Sequence, residues 1–302
     1  MKIKLVIFAI ILLLIAPTQA CQKKKTPLNL SDTEMGTGET NGYRLVWEDT
    51  FNDGKLNPDF WTMEINGNGG GNNELQYYRE ENISVGIDSV SNAGCLIITA
   101  KKENYSGKVC TSGRVMTREK VTFKYGKIEA RIKLPQTANG LWPAFWMMGN
   151  DISEVGWPKC GEIDILEMGN ANGIKNGTQD RYFNGACHWG ENWSTHRYFD
   201  MDKTNEYTMQ DDFHLYTLEW DVDSIKMYLD KDKYPTSAAY FEMSIRDTTA
   251  GSVGSYFHKP NFILFNLAVG GDFTKIWDIN KVTALKDGES KMYVDFVKVY
   301  QK

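Results

Sequence analysis

Between Lys124 and Leu134 the chain settles into strict alternation, with Ile128, Ala130 and Ile132 set against Lys127, Glu129, Arg131 and Lys133. A two-residue period puts one set on each face of a β-strand, charges outward and aliphatics inward, as in the outer sheet of a sandwich. Met292–Tyr300 alternates again and predicts a closing strand. Cys95–Ala100, after the turn Asn92-Ala93-Gly94, and Phe262–Ala268 are apolar almost throughout and read as buried strands. Phe213–Trp220 and Ser224–Leu229 are separated only by Asp221-Val222-Asp223 and predict a hairpin. Glycine-rich turns punctuate the chain and no long 3.6-residue period is present, so the fold expected is an all-β sandwich.

One strand departs from this economy: Glu162-Ile163-Asp164-Ile165-Leu166-Glu167. Its aliphatics favour extended backbone, which places Glu162 and Asp164 on one face and Ile163 and Ile165 on the other. Strict alternation would send Glu167 to the aliphatic face; one extra residue, a β-bulge, would return it to the acidic one. Three acids on one face repel each other and resist desolvation, so stability gives little reason for them. An isolated E-x-D is most simply a solvated edge. Here the flanks are aromatic: Trp142 and Trp146 within Gly140–Gly149, then Trp157, then His188, Trp189 and Trp193. Indole faces suit the C–H faces of pyranose rings. The row therefore reads as a sugar-cleaving cleft.

Lys2 and Lys4 precede an apolar run from Leu5 to Ala16, which is too short to span a bilayer but fits a signal peptide over residues 1–20. Ala20-Cys21 resembles a bacterial lipoprotein junction, so Cys21 is the expected lipidation site, with ordinary cleavage after Ala20 as the alternative. Residues 21–41 are polar and read as a tether, leaving 42–302 as one domain. The protein is expected to be exported and anchored by lipid at the cell surface or outer membrane, the alternative being periplasmic or secreted. A net charge of −5 without a basic stripe argues against nucleic acid and against sulfated polysaccharide. Cys95, Cys110, Cys160 and Cys187 allow three full pairings; free thiols are the expectation, and their spacing is not that of a metal site.

The acid run resembles the signature of glycoside hydrolase family 16 in its bulged E-x-D-x-x-E form. Further segments resemble bacterial laminarinases in order along residues 42–302: Leu45–Phe51, Asn72–Tyr78, Ser112–Arg114, Tyr125–Ile132, Asn266–Gly271 and Tyr293–Tyr300. The resemblance implies a concanavalin A-like jelly roll of two curved antiparallel sheets with substrate across the concave one. It implies an endo-acting, retaining β-1,3-glucanase with Glu162 as nucleophile, Glu167 as acid/base and Asp164 between them. Trp142, Trp146 and Trp157 would frame sugars on the non-reducing side, where Asn73 and Arg114 would bind hydroxyls. His188 and Trp189 would meet the leaving-group side, and Asn266 would either face the cleft or be a buried amide tied to backbone. No cofactor is implied for the chemistry. A structural calcium on the convex face would be held through Asp295, although Thr50 stands where many laminarinases carry a Glu ligand.

The expected partner is a β-glucan, laminarin-type or mixed-linkage β-1,3/1,4, and the expected state a monomer. Within the enzymes, agarase or carrageenase is the rival. A non-catalytic glycan-binding protein should have lost one of the two Glu, and both are present. Asn170–Asn184, rich in Gly and Asn, looks like an insertion able to reshape the cleft.

Overall fold

The computed structural model describes residues 42–89, 91–210 and 212–302, with the dipeptides Leu28–Asn29 and Glu39–Thr40. The expected signal peptide, Cys21 and most of the tether lie outside the described residues. Leu28–Asn29 pairs in parallel with Val121–Thr122, and Glu39–Thr40 pairs antiparallel with Tyr43 and Arg44.

Two sheets form the jelly-roll sandwich. The outer one runs Phe241–Ser244, Ser224–Leu229, His214–Trp220, Gly126–Lys133, Glu289–Gln301, Gly94–Lys101, Cys110–Ser112 and Gln76–Tyr78. The inner one runs Arg197–Thr204, Tyr182–Trp189, Glu162–Met168, Leu141–Gly149, Asn261–Val269, Arg114–Met116 and Thr62–Met63. Neighbours in the inner sheet are antiparallel; in the outer one, Gln76–Tyr78 and Cys110–Ser112 pair in parallel. The hairpin forms as expected, Tyr216 opposite Leu229 and Trp220 opposite Ile225.

The alternation from Lys127 to Lys133 is realised without a break: Ile128, Ala130 and Ile132 are fully buried and the charged residues between them are not. The strand begins only at Gly126, because Tyr125 and Gly126 have φ of 63° and 119°, a turn geometry outside the β region. Ile128 and Ile132 share one hydrophobic cluster with Phe145, Met147, Ile163, Ile165 and Phe265 of the inner sheet. Each such side chain contributes about 1.5–3 kcal/mol of transfer free energy. This core gives the inner sheet a rigid back, so its other face is free to carry polar groups.

The strand Arg197–Thr204 has no sequence signal, since all eight residues are exposed and show no burial alternation. In the insertion-like segment, Asn170 caps the short helix Ala171–Asn176 by accepting from Asn172 N, and Gly177 ends it with φ 66°. Cys95, Cys110, Cys160 and Cys187 are buried and unpaired. Burial pushes the Cys110 and Cys160 thiols up to about 12, so both stay protonated and behave as small apolar groups.

Candidate active site

The acid strand Glu162–Met168 lies between Leu141–Gly149 and Tyr182–Trp189. Asp164 stands opposite Trp146, but Leu166 stands opposite Phe145, so Ile165 is the extra residue of a bulge. On the other side Asp164 faces Ala186 and Glu167 faces Asn184, the same shift seen from the neighbouring strand. The bulge returns Glu167 to the side of Glu162 and Asp164, and all three line a cleft of about 650 Å³. Ile163, Ile165 and Leu166 are fully buried in the core behind them.

Each glutamate is held by an indole. Trp157 Nε1 donates to Glu162 Oε2 at 2.9 Å, and Trp142 Nε1 donates to Glu167 Oε1 at 3.0 Å. Asn184 Nδ2 donates to the other oxygen of Glu167 at 3.1 Å. Burial, then the charge of Glu167, raises Glu162 to about 7. Burial also raises Glu167 to about 7, helped by Asp200 and Asp202 and opposed by its bonds from Asn184 and Trp142. Asp164 is raised well above the usual carboxylate range by burial and by both glutamates. The row therefore holds protons near neutral pH that isolated carboxyls would have lost.

His188 faces the same cleft, its Nε2 3.5 Å from Asp164 Oδ2. Burial and the neighbouring His196 lower it to about 4, so the imidazole is neutral in the working range. Trp189 turns the other way: alternation sends it to the core face, where it meets Phe257 edge-on at 6.2 Å. It is not a cleft residue.

Trp142, Trp146 and Trp157 all line the cleft. One face of Trp142 is already covered by Phe273, stacked at 4.6 Å with planes 14° apart. Trp146 Nε1 donates to Asn266 Oδ1 at 2.7 Å; Asn266 is thus buried, faces the cleft and is tied to a side chain rather than to backbone.

Arg114 borders the cleft, but its guanidinium is committed inward. It lies 3.4 Å from Glu64 and 3.7 Å from Glu74, donates to Tyr78 Oη at 3.2 Å and sits over the Tyr78 ring. Beside the role expected for it, binding sugar hydroxyls, it neutralises two acids, one of them buried. Arg114→Ala is therefore expected to cost about 3–5 kcal/mol of stability, because it leaves the buried Glu74 with its bonds from Gln76 and Tyr78 but without its counter-charge. Urea unfolding checks this; an unchanged midpoint would return Arg114 to a purely substrate-facing role. Asn73 is exposed at the rim with φ 56°, and its amide donates to Asp272 Oδ2 at 2.9 Å.

Asp295, the residue tied to calcium by resemblance, has its Oδ2 2.6 Å from Arg131 Nη1. Thr50 Oγ1 accepts from Asn52 Nδ2. A guanidinium on the one carboxylate does not fit a cation site. Residues that sequence reasoning missed are Glu74, Asn184, His196, Tyr198, Asp200 and Asp272, all bordering the cleft. Asn184 was within reach, as a polar position on a strand whose neighbours Phe183 and Cys187 are apolar.

Comparison with known proteins gives the same direction. Residues 72–255 match the model of glycosyl hydrolases family 16. The chain is 37% identical to the clotting factor G alpha subunit of Tachypleus tridentatus over 86% of its own length, and spans 34% of that protein. It is 36% identical to the glucan endo-1,3-beta-glucosidase of Cryptopygus antarcticus, covering 76% of this chain and 81% of that one. Among solved structures, the Bacteroides ovatus mixed linkage glucan GH16 in complex with product superposes with a TM-score of 0.75 at 40% identity, covering 84% of this chain and all of that one. A buried acid row on a bulged strand, set in this sandwich and matched along the chain, places the protein in glycoside hydrolase family 16.

Proposed function

We propose that the cleft cuts internal β-1,3-glucosidic bonds of β-glucan with retention of anomeric configuration, accepting laminarin and mixed-linkage β-1,3/1,4-glucan. The observation that carries the reading is the bulge at Ile165, which sets Glu167 on the face of Glu162 and gives each acid its own indole donor. In this reading Glu162 attacks the anomeric carbon while Glu167 protonates the departing oxygen, and Glu167 then draws the proton from the water that frees the sugar. Trp157 fixes one oxygen of Glu162, leaving the other to attack. Asp164, protonated by its surroundings, orients Glu162 and limits the charge in the row. The reading includes export and anchoring through Cys21. Relatives named for β-1,3-glucan and for mixed linkage glucan support the substrate class.

Laminarin, barley β-glucan, agarose and carrageenan incubated with the domain, followed by product sizing, test the substrate. Short oligosaccharides from the two glucans alone are expected; cleavage confined to a galactan would overturn the reading.

Trp157 supplies a milder test. Trp157→Ala removes the donor to Glu162 and a wall of the cleft, and a lost hydrogen bond to a charged group costs about 1.5–3 kcal/mol in kcat/KM on long glucan. Its melting temperature should change little, since Trp157 lies outside the main core. A large fall in melting temperature with unchanged kcat/KM would make it a core residue instead.

A further inference from the structure

Beside the acid row, His188 Nδ1 lies 2.9 Å from His196 Nε2. Their planes are 13° apart and their centroids 5.2 Å apart. A face-to-face pair with atoms in contact at 2.9 Å would bring its centroids much closer, so these near-coplanar rings lie side by side and meet edge to edge, as an N–H···N bond requires. Both imidazoles are held neutral, His196 by burial and His188 by burial and by His196. One proton lies in the contact, so one ring donates and the other accepts.

The acid row decides which. Asp164 Oδ2 is buried without a hydrogen-bond partner, and the nearest imidazole nitrogen is His188 Nε2 at 3.5 Å. One oxygen of Asp164, one of Glu162 and one nitrogen of His188 lie within 4.8 Å of one another. Repulsion between the two carboxyls is relieved when the proton of Asp164 sits on its Glu162 side. Oδ2 is then a bare acceptor facing His188 Nε2, which satisfies it only as an N–H. A neutral His188 with its proton on Nε2 has a bare Nδ1, so His196 must be the donor.

The geometry points to His196 as a positioning residue: its Nε2–H fixes His188 in the tautomer that presents Nε2–H to Asp164 Oδ2, keeping the proton of Asp164 on its other oxygen, toward Glu162. The inference rests on the roles proposed above for the acid row. Among the described residues no other side chain is seen to donate to His188 Nδ1: Trp157 and Tyr198 meet His188 through their rings, at 6.3 and 5.7 Å between centroids. His196 stands in the loop before an exposed edge strand, where no sequence pattern marks it.

The test compares the intact domain with His196→Phe, which keeps a ring against Trp157 and Tyr198, and His196→Gln, whose amide N–H can reach where Nε2–H was. Nitrogen-15 NMR of the imidazoles reads the tautomer, and laminarin kinetics read the consequence. In wild type His188 should be the Nε2–H form. His196→Phe should mix the tautomers and lower kcat by up to roughly tenfold, the scale of one lost hydrogen bond between neutral groups, with KM unchanged. His196→Gln should restore most of both. A wild-type His188 protonated on Nδ1, or an unaltered kcat in His196→Phe, would overturn the inference, as would a loss confined to KM. The tautomer is read without substrate and on wild type, so that result stands apart from the glucanase assignment and from the folding of either variant.

Discussion

Glu162→Gln is expected to lower turnover on laminarin by roughly a thousandfold or more, because an amide cannot form the glycosyl ester on which a retaining route depends. The variant should fold normally: Trp157 can still donate to the amide oxygen, and the row loses a charge rather than a partner. The stability effect has a definite sign. Glu162 is raised from 4.5 to about 7 in the fold. An acid raised by folding contributes stability that is present below its unfolded value and lost as pH rises through the folded one. At pH 8 the wild type carries two mutually repelling glutamates in the row and the variant one, so the variant should melt at or above the wild-type temperature there. The advantage should vanish toward pH 4. Activity within tenfold of wild type would remove Glu162 as nucleophile.

Glu167→Ala should fail differently. General acid catalysis is worth about 10²–10⁴ in rate, and that loss is expected on laminarin, where the leaving group is a sugar hydroxyl. A dinitrophenyl glycoside needs no proton to depart, so its first step should survive. Azide should then intercept the glycosyl-enzyme and yield a product of retained configuration, whereas Glu162→Gly with azide should yield an inverted one. Wild-type kcat/KM should fall above about pH 7 as Glu167 loses its proton. In Glu167→Ala acting on the activated substrate that limb should be absent. An unchanged alkaline limb would assign the proton to another group, with Asp164 the first candidate.

Both variants act on a site whose acids are legible in the sequence. The alternation at Lys127–Lys133 and the extra residue needed to bring Glu167 round are short-range facts, and the chain obeys them. What sequence could not carry is partner choice at long range. Arg114 is a free cation in the sequence, but in the fold it meets Glu64 and Glu74, respectively 50 and 40 residues earlier, and neutralises them. Trp189 adjoins His188 in the chain and so suggests a shared cleft. A strand sends neighbours to opposite faces, however, and the alternation that places Glu162 also turns Trp189 into the core. The tryptophans suggest ring faces offered to sugars, while in the fold it is their N–H groups that address the acids and Asn266. His196 and Asp200 reach the cleft from a loop and an exposed edge strand that bury no apolar face and so leave no periodic trace.

The central claim, that this acid row cleaves β-1,3-glucan through a covalent intermediate, is tested most directly by proton NMR of laminarin during the first minutes of digestion. New reducing ends should appear first as the β-anomer and reach the α-anomer only by mutarotation, with chains shortening from within. Initial release of the α-anomer, or release of single glucose units from chain ends, would contradict it.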